Sequence, residues 1–230
     1  MLRLVALTAG ALALVACSPS ESKRTADPAA VAAAVKPMFD GLALAGGPAE
    51  AKASGFTDCN APDGATYYGF LCAKPDAALY GVKAMRAQVR LSYPDELKPD
   101  ERRPERTRYT EVEYLYPDAM IDYSDCPTTS DDLYACATNP DAPLARLAGA
   151  LKHDGWLSRS RRWGLVYVKD GQPFEIVIPH DSRAGDVYVT LRPTPLAYVE
   201  AQVAEIRAVR ARAEQAQRDS DAFVQSMAAP

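Results

Sequence analysis

The residue types that most often carry catalysis are sparse in this sequence. The chain has two histidines, His153 and His180, and neither lies in a metal-ligand spacing or beside a nucleophile motif. No glycine-rich phosphate loop, G-x-S-x-G turn or H-E-x-x-H motif occurs. The sequence therefore favours a protein that is not an enzyme and predicts no catalytic residue, no cofactor and no metal ion.

The first cysteine ends a segment that is typical of exported proteins. Arg3 precedes an apolar run from Leu4 to Ala16, which is a charged n-region followed by an apolar h-region. The run is shorter than the about 20 apolar residues that span a membrane, and polar residues follow Cys17 at once. Residues 1–16 are therefore predicted to be a signal peptide.

The last residues of this segment, Leu14-Val15-Ala16-Cys17, resemble the lipobox of bacterial lipoproteins. The resemblance covers only the N-terminal segment. It implies cleavage before Cys17, acylation of that cysteine on its sulfur and new amino group, and a lipid anchor in a membrane. Because Ser18, and not Asp, follows the cysteine, it also implies an outer-membrane protein that faces the periplasm. Residues 17–30 are predicted to be a flexible tether.

The remaining four cysteines would lie in an oxidising compartment, where an even number indicates disulfides. Four cysteines allow three pairings, and the sequence alone does not select one. We predict the two local pairs, Cys59–Cys72 and Cys126–Cys136, each of which would contribute about 3 kcal/mol less any strain. A reactive thiol is the alternative, but the chain has no C-x-x-C motif and no histidine beside a cysteine.

Charge patterning excludes one class of partner and suggests another. With 26 Lys and Arg against 30 Asp and Glu, the chain carries a formal charge of −4, which argues against a nucleic-acid binder. An acidic cluster could ligate Ca²⁺ but matches no EF-hand, so we interpret it as a solvated loop: Asp118, Asp122, Asp125, Asp131 and Asp132. A basic patch could bind anionic headgroups or an acidic partner, or form an ordinary charged loop: Lys152, His153, Trp156, Arg159, Arg161 and Arg162.

Hydrophobic patterning predicts an α+β domain over residues 31–195, with antiparallel sheet covered by helices. Residues 29–45 are Ala-rich and helical in propensity, with a break at Pro37, and a short helix from Pro48 to Ser54 ends at Gly55. Strands are predicted over three segments, of which the last two alternate between apolar and polar residues: Thr66–Leu71, Val82–Tyr93 and Tyr109–Tyr116. Pairing of the last two would let Arg86 and Arg90 face Glu111 and Glu113.

The pattern begins again after a disulfide loop. A helix is predicted over Leu144–His153, and strands over Trp163–Val168, Phe174–Ile178 and Val187–Leu191. Asp170-Gly171 predicts a type I′ hairpin turn. The halves, 31–117 and 143–195, share the order helix, Gly-aromatic, three strands. An internal duplication explains this order, and so does the general tendency of one helix to cover a small sheet.

The C-terminal segment, 196–230, predicts one long helix. Apolar residues recur at spacings of three and four from Val199 through Val203 and Ile206, and no Gly or Pro interrupts Leu196 to Ala229. A helix of about 30 residues would be about 45 Å long, so its far end should leave the domain. Its first part can pack on the domain with the rest solvated, or the stripe at Val199, Val203 and Ile206 can bind a partner.

These observations predict a membrane-anchored periplasmic lipoprotein with a non-catalytic interaction or envelope-assembly role. The expected partners are the membrane, through lipid on Cys17, and another envelope protein. The alternative is a periplasmic small-ligand binder or an enzyme whose site is assembled from scattered residues. A concave pocket with convergent polar groups would favour that alternative.

Overall fold

The computed structural model describes residues 38–60, 69–116, 141–179 and 186–228, and these residues form the predicted α+β architecture. The helices are α1 (Pro48–Ala53), α2 (Pro143–His153) and α3 (Leu196–Ala228). The strands are β1 (Met38–Phe39), β2 (Leu42–Ala43), β3 (Asp58–Asn60), β4 (Phe70–Pro75), β5 (Ala78–Leu79), β6 (Val82–Lys83), β7 (Arg86–Leu91), β8 (Val112–Tyr116), β9 (Leu157–Arg161), β10 (Gly164–Val168), β11 (Phe174–Pro179) and β12 (Val187–Pro193).

Eight of these strands form one antiparallel sheet in the order β3-β4-β7-β8-β12-β11-β10-β9. The first half of the chain supplies β3, β4, β7 and β8, and the second half supplies β9 to β12. The halves meet at the centre, where β8 pairs with β12 and Tyr114 lies opposite Val189. They therefore share a single continuous sheet.

The two halves repeat the same helix ending. Gly55 and Gly155 follow α1 and α2 with φ of 87° and 81°, a conformation that glycine adopts without steric cost. The next N–H, of Phe56 or Trp156, donates 3.0 Å back to the helix, to the carbonyl of Ala51 or Leu151. The predicted end at Gly55 is confirmed. Each half contributes four strands to the sheet and not the three predicted. The additional strand comes shortly after the glycine in each half, β3 after Gly55 and β9 after Gly155.

Both faces of the sheet are covered, at least in part, by helices. Leu165 and Tyr167 of β10 belong to the core that includes α1 and α2, whereas the alternate residues Val166 and Val168 pack against α3. The spacing-based prediction for α2 is confirmed, since four side chains of one face are buried in the main core: Leu144, Leu147, Ala148 and Leu151. The sheet therefore lies between α1 and α2 on one side and α3 on the other.

The helical prediction for residues 29–45 is wrong over its described part, 38–45. Asp40 and Gly41 both have positive φ, 50° and 75°, and join β1 to β2 in a tight hairpin. An Asp-Gly pair suits such a turn, and this local signal outweighs the helical propensity of the alanines around it. Residues 29–37 lie outside the described part of the chain.

The expected arginine–glutamate pairs across β7 and β8 do not form as predicted. Glu113 accepts a 2.7 Å hydrogen bond from Gln88, its direct neighbour on β7, while Glu111 binds Arg192 of β12 at 3.1 Å. Arg86 lies opposite Leu115 and donates to Gln88 along its own strand at 3.2 Å. The strands pair as expected, but β12 on the other side of β8 supplies a competing cation.

The turn between β10 and β11 is a hairpin of a different type from that predicted. Gly171 has a φ of 73°, but Asp170 does not have positive φ, and the N–H of Gln172 donates to the carbonyl of Lys169 at 3.1 Å. The two residues enclosed by this hydrogen bond are Asp170 and Gly171, and a positive φ at the second of them only is the pattern of a type II turn. The hairpin is confirmed and the type I′ assignment is wrong.

One of the two predicted disulfides lies in the described residues and is confirmed. Cys59 of β3 and Cys72 of β4 are directly opposite in the sheet, and their sulfur atoms are bonded. The bond fixes the edge strand β3 to the sheet. Cys126 and Cys136, the acidic cluster at residues 118–132, and Cys17 with the predicted signal peptide lie outside the described residues.

Candidate interaction surface

The first third of α3 packs on the sheet. Val199, Val203 and Ile206 are at most 6% exposed and contact Val166 and Val168 of β10. Of the two alternatives for this part of the helix, packing on the domain is therefore confirmed, and a partner-binding stripe at these three residues is wrong, because their own domain covers them. An amphipathic pattern shows that one helix face is buried but does not identify what buries it.

Polar contacts fix this part of α3 to the domain. Arg159 of β9 forms an ion pair with Glu205, and Arg207 binds Asp170 in the β10–β11 loop at 3.2 Å. Arg161 donates to the buried side-chain carbonyl of Gln202 at 3.1 Å. These contacts orient the helix so that its C-terminal part leaves the sheet.

The structure does not bring the predicted basic patch together as one surface. Trp156 is buried in the main core, and Lys152 and His153 are exposed at the end of α2. Arg159 and Arg161 lie on the opposite face of the sheet, against α3, and Arg162 is exposed in the β9–β10 turn. Residues 157–161 form an edge strand, whose alternation sends neighbouring side chains to opposite faces.

Trp156 belongs to an aromatic cluster in the core. Its Nε1–H donates to the Tyr80 hydroxyl at 2.7 Å and to Asp154 Oδ2 at 3.2 Å, and Asp154 forms a 2.9 Å ion pair with Lys169. Burial raises the pKa of Tyr80 to about 12, so its hydroxyl stays protonated at neutral pH. This cluster ties the second half of the sheet to the β5–β6 hairpin.

Glu175 is the buried carboxylate beneath α3. It lies on β11, 3.7 Å from Arg192 of β12, and the Glu175 residue is 8% exposed. Burial raises the pKa of Glu175 above its ordinary value, while the positive charges of Arg192 and Arg161 oppose that rise. At neutral pH the folded protein therefore holds a carboxylate in a poorly hydrated position.

We expect substitution of Glu175→Gln to remove a pH dependence from stability. A carboxyl with a raised pKa in the folded state binds more protons when folded than when unfolded, so stability falls as pH rises through the window above 4.5. Urea unfolding at a series of pH values should show this fall in the wild type and not in E175Q. Glu111→Gln, which changes another partner of Arg192, should retain the fall. Equal pH slopes in the wild type and E175Q would contradict this assignment.

The rest of α3 is exposed along its whole circumference. Every residue from 207 to 227 is exposed, and these 21 residues correspond to about 30 Å of helix at 1.5 Å per residue. Polar side chains bond along the helix, from Gln215 to Asp219 at 2.7 Å and from Gln217 to Asp221 at 2.8 Å. Such contacts support an isolated helix by a few tenths of a kcal/mol each.

A line of mostly apolar or small residues runs along this exposed part. We call it the distal seam; it consists of Val209, Ala213, Ala216, Ser220, Phe223 and Met227. Phe223 and Met227 are 64% and 72% exposed. The apolar stripe predicted from the sequence does not include Phe223 and Met227, although the alternating spacing of four and three continues through Ser220 to both of them.

A groove lies where the distal seam meets the domain. It has a volume of about 170 Å³ and is lined by Ser158, Arg159 and Ser160 of β9 and by Glu205, Ile206 and Val209 of α3. Val209 belongs to both the groove and the distal seam. The two features therefore form one surface along the edge of β9.

Within the described residues, no helix is both long enough and apolar enough to cross a membrane. In the same part of the chain, no three His, Cys, Asp or Glu side chains are grouped as metal ligands would be. Comparisons with protein-family models, curated proteins and solved structures give no match to this chain.

Proposed function

We propose that this protein is a lipid-anchored interaction protein of the bacterial envelope, and that it binds an envelope protein partner through the distal seam and the adjoining groove. The observation that carries the proposal is the exposed length of α3. A third of the helix suffices to hold it on the sheet, and the remainder extends large apolar side chains into solvent.

Energetics support a binding role for this extension. An isolated helix has marginal stability in water, and most helical stability in proteins comes from packing of an apolar face. Exposed apolar area of the size of Phe223 and Met227 is also costly, at about 25 cal/mol per Å² relative to a buried state. A partner that covers the distal seam would remove this cost.

The lipid anchor supports the same role. Several acyl chains on Cys17 would hold the protein durably at a membrane, and the residues between Cys17 and the domain would let the domain reach neighbouring proteins. Substitution of Cys17→Ser should move the protein from the membrane fraction to the soluble fraction and abolish incorporation of labelled palmitate. Continued labelling of C17S would contradict the anchor.

The small-ligand or enzyme alternative has less support among the described residues. The groove of about 170 Å³ is smaller than the roughly 300–1,000 Å³ of typical ligand sites. Its charged members, Arg159 and Glu205, form an ion pair with each other. A groove of this size and lining suits one protruding side chain of a partner.

A photo-crosslinking residue placed at Phe223 tests the proposal in cells. Benzoylphenylalanine at position 223 should attach to a discrete protein, whereas the same probe at Gln225, which is exposed on the other side of the helix, should not. Equal labelling at both positions would indicate random collision. Absence of labelling at position 223 would refute the distal seam as a binding surface.

A further inference from the structure

The distal seam has the spacing of a coiled-coil face. Its residues are separated by four, three, four, three and four positions, which is the alternation of a heptad repeat. Ile206, three residues before Val209, continues the series into the groove. A second helix with the same spacing is the natural complement of such a face.

We propose that the occupant of the distal seam is the distal seam of a second copy of this chain, in antiparallel orientation. This inference rests on the proposed function and names the partner for the same surface. The two helices would cross at their midpoint between Ala213 and Ala216, where small side chains allow close approach.

The antiparallel register fills the groove. When Ala213 lies beside Ala216 of the second copy, a residue a given number of positions before Ala213 lies beside the residue the same number of positions after Ala216. Phe223 of the second copy, seven residues after Ala216, is then level with Ile206, which is itself buried on the sheet, and reaches the groove that β9 lines beside it. The most exposed aromatic residue of the helix therefore enters the cavity at the base of its partner's helix.

Charge favours this orientation over a parallel one. In the antiparallel register Arg212 lies near Asp219 of the second copy, and twofold symmetry makes this pair twice. In a parallel pair, a residue that flanks the seam would meet the residue five positions later in the second copy. This register would place Arg212 beside Gln217, and Asp219 beside Val224. The remaining parallel pair, Glu205 with Arg210, competes with Arg159, which already binds Glu205.

The orientation is tested by disulfide formation between two tagged copies of the full-length protein in cells. Co-expressed Ala213→Cys and Ala216→Cys copies should form a mixed disulfide dimer on a non-reducing gel. Either variant expressed alone should give much less dimer, because residue 213 meets 216 and not itself. Stronger crosslinking of A213C alone would indicate a parallel pair and overturn the inference, as would the absence of any dimer.

A charge exchange provides the matched control. Arg212→Asp in both cysteine copies should cause loss of most of the mixed dimer, because two acidic side chains would then meet at each end. Adding Asp219→Arg should restore the dimer, since the same pairs form with their charges exchanged. If the double exchange remains as weak as R212D, the predicted pairing is wrong.

The outcome separates this inference from the proposed function. If the probe at position 223 attaches to a different protein and no cysteine dimer forms, the second-copy inference is overturned and the proposed function stands. If neither experiment gives a product, both are overturned.

Discussion

Substitution of Trp156→Ala should lower the free energy of unfolding by about 3–5 kcal/mol, the range for deletion of a large buried aromatic side chain. Trp156 is 3% exposed, and its ring centroid lies 5.4 Å from that of Phe174 and 6.3 Å from that of Tyr80. The substitution would leave a cavity where the β5–β6 hairpin meets the sheet. It would also remove the N–H donor to the Tyr80 hydroxyl.

The only other tryptophan provides a control for this measurement. Trp163 is 49% exposed, and its ring lies 5.9 Å from the Arg192 guanidinium. Trp163→Ala should therefore cost about 1 kcal/mol or less. Urea unfolding followed by far-ultraviolet circular dichroism avoids dependence on tryptophan fluorescence. A loss for W156A no larger than that for W163A would contradict the place of Trp156 in the core.

Substitution of Gly69→Ala should be of similar size, at about 3 kcal/mol or more. Gly69 has a φ of 101°, which is strained for any residue with a β-carbon, and such strain costs of order 1–3 kcal/mol. A methyl group there would also overlap the backbone carbonyl of Leu91. That carbonyl belongs to strand β7 and cannot rotate away as a side chain would, so the overlap adds about 1–3 kcal/mol.

Substitution of Gly81→Ala separates the cost of backbone strain from the cost of steric overlap. Gly81 also has positive φ, 74°, but apart from this residue itself and its two neighbours in the chain, no atom lies within 4 Å of the position of its missing β-carbon. Gly81→Ala should therefore show the backbone strain alone, about 1–2 kcal/mol. Thermal or urea unfolding of both variants measures the difference. Equal destabilisation would show that Gly69 is not held against β7.

Local signals explain which elements the sequence predicts well. The end of α1 at Gly55 and the buried face of α2 depend on residues close together in the chain, and both are confirmed. Strand β9 was missed because its sequence, LSRSR, contains mostly polar residues. It joins the sheet through backbone bonds to β10, and such pairing leaves no periodic apolar signal.

The candidate site shows the same division between local and tertiary information. The long helix was predicted from its uninterrupted sequence. Of the two alternatives for its first part, packing on the domain is confirmed, and partner binding by Val199, Val203 and Ile206 is wrong. The apolar stripe on α3 has two consecutive parts, one that binds the sheet and one that is exposed. The helix sequence does not show where the first part ends, because that point depends on the position of strand β10.

The most direct test of the central proposal is in-cell crosslinking of the tagged, full-length protein, compared with a chain that ends at Arg210. This truncation retains Val199, Val203 and Ile206 on the sheet, and residues 211–227, which it removes, are all exposed. The proposal predicts that both chains fold and reach the membrane, and that the discrete crosslinked products identified by mass spectrometry disappear with the truncation. Retention of every product by the shortened chain would contradict a binding role for the exposed half of α3.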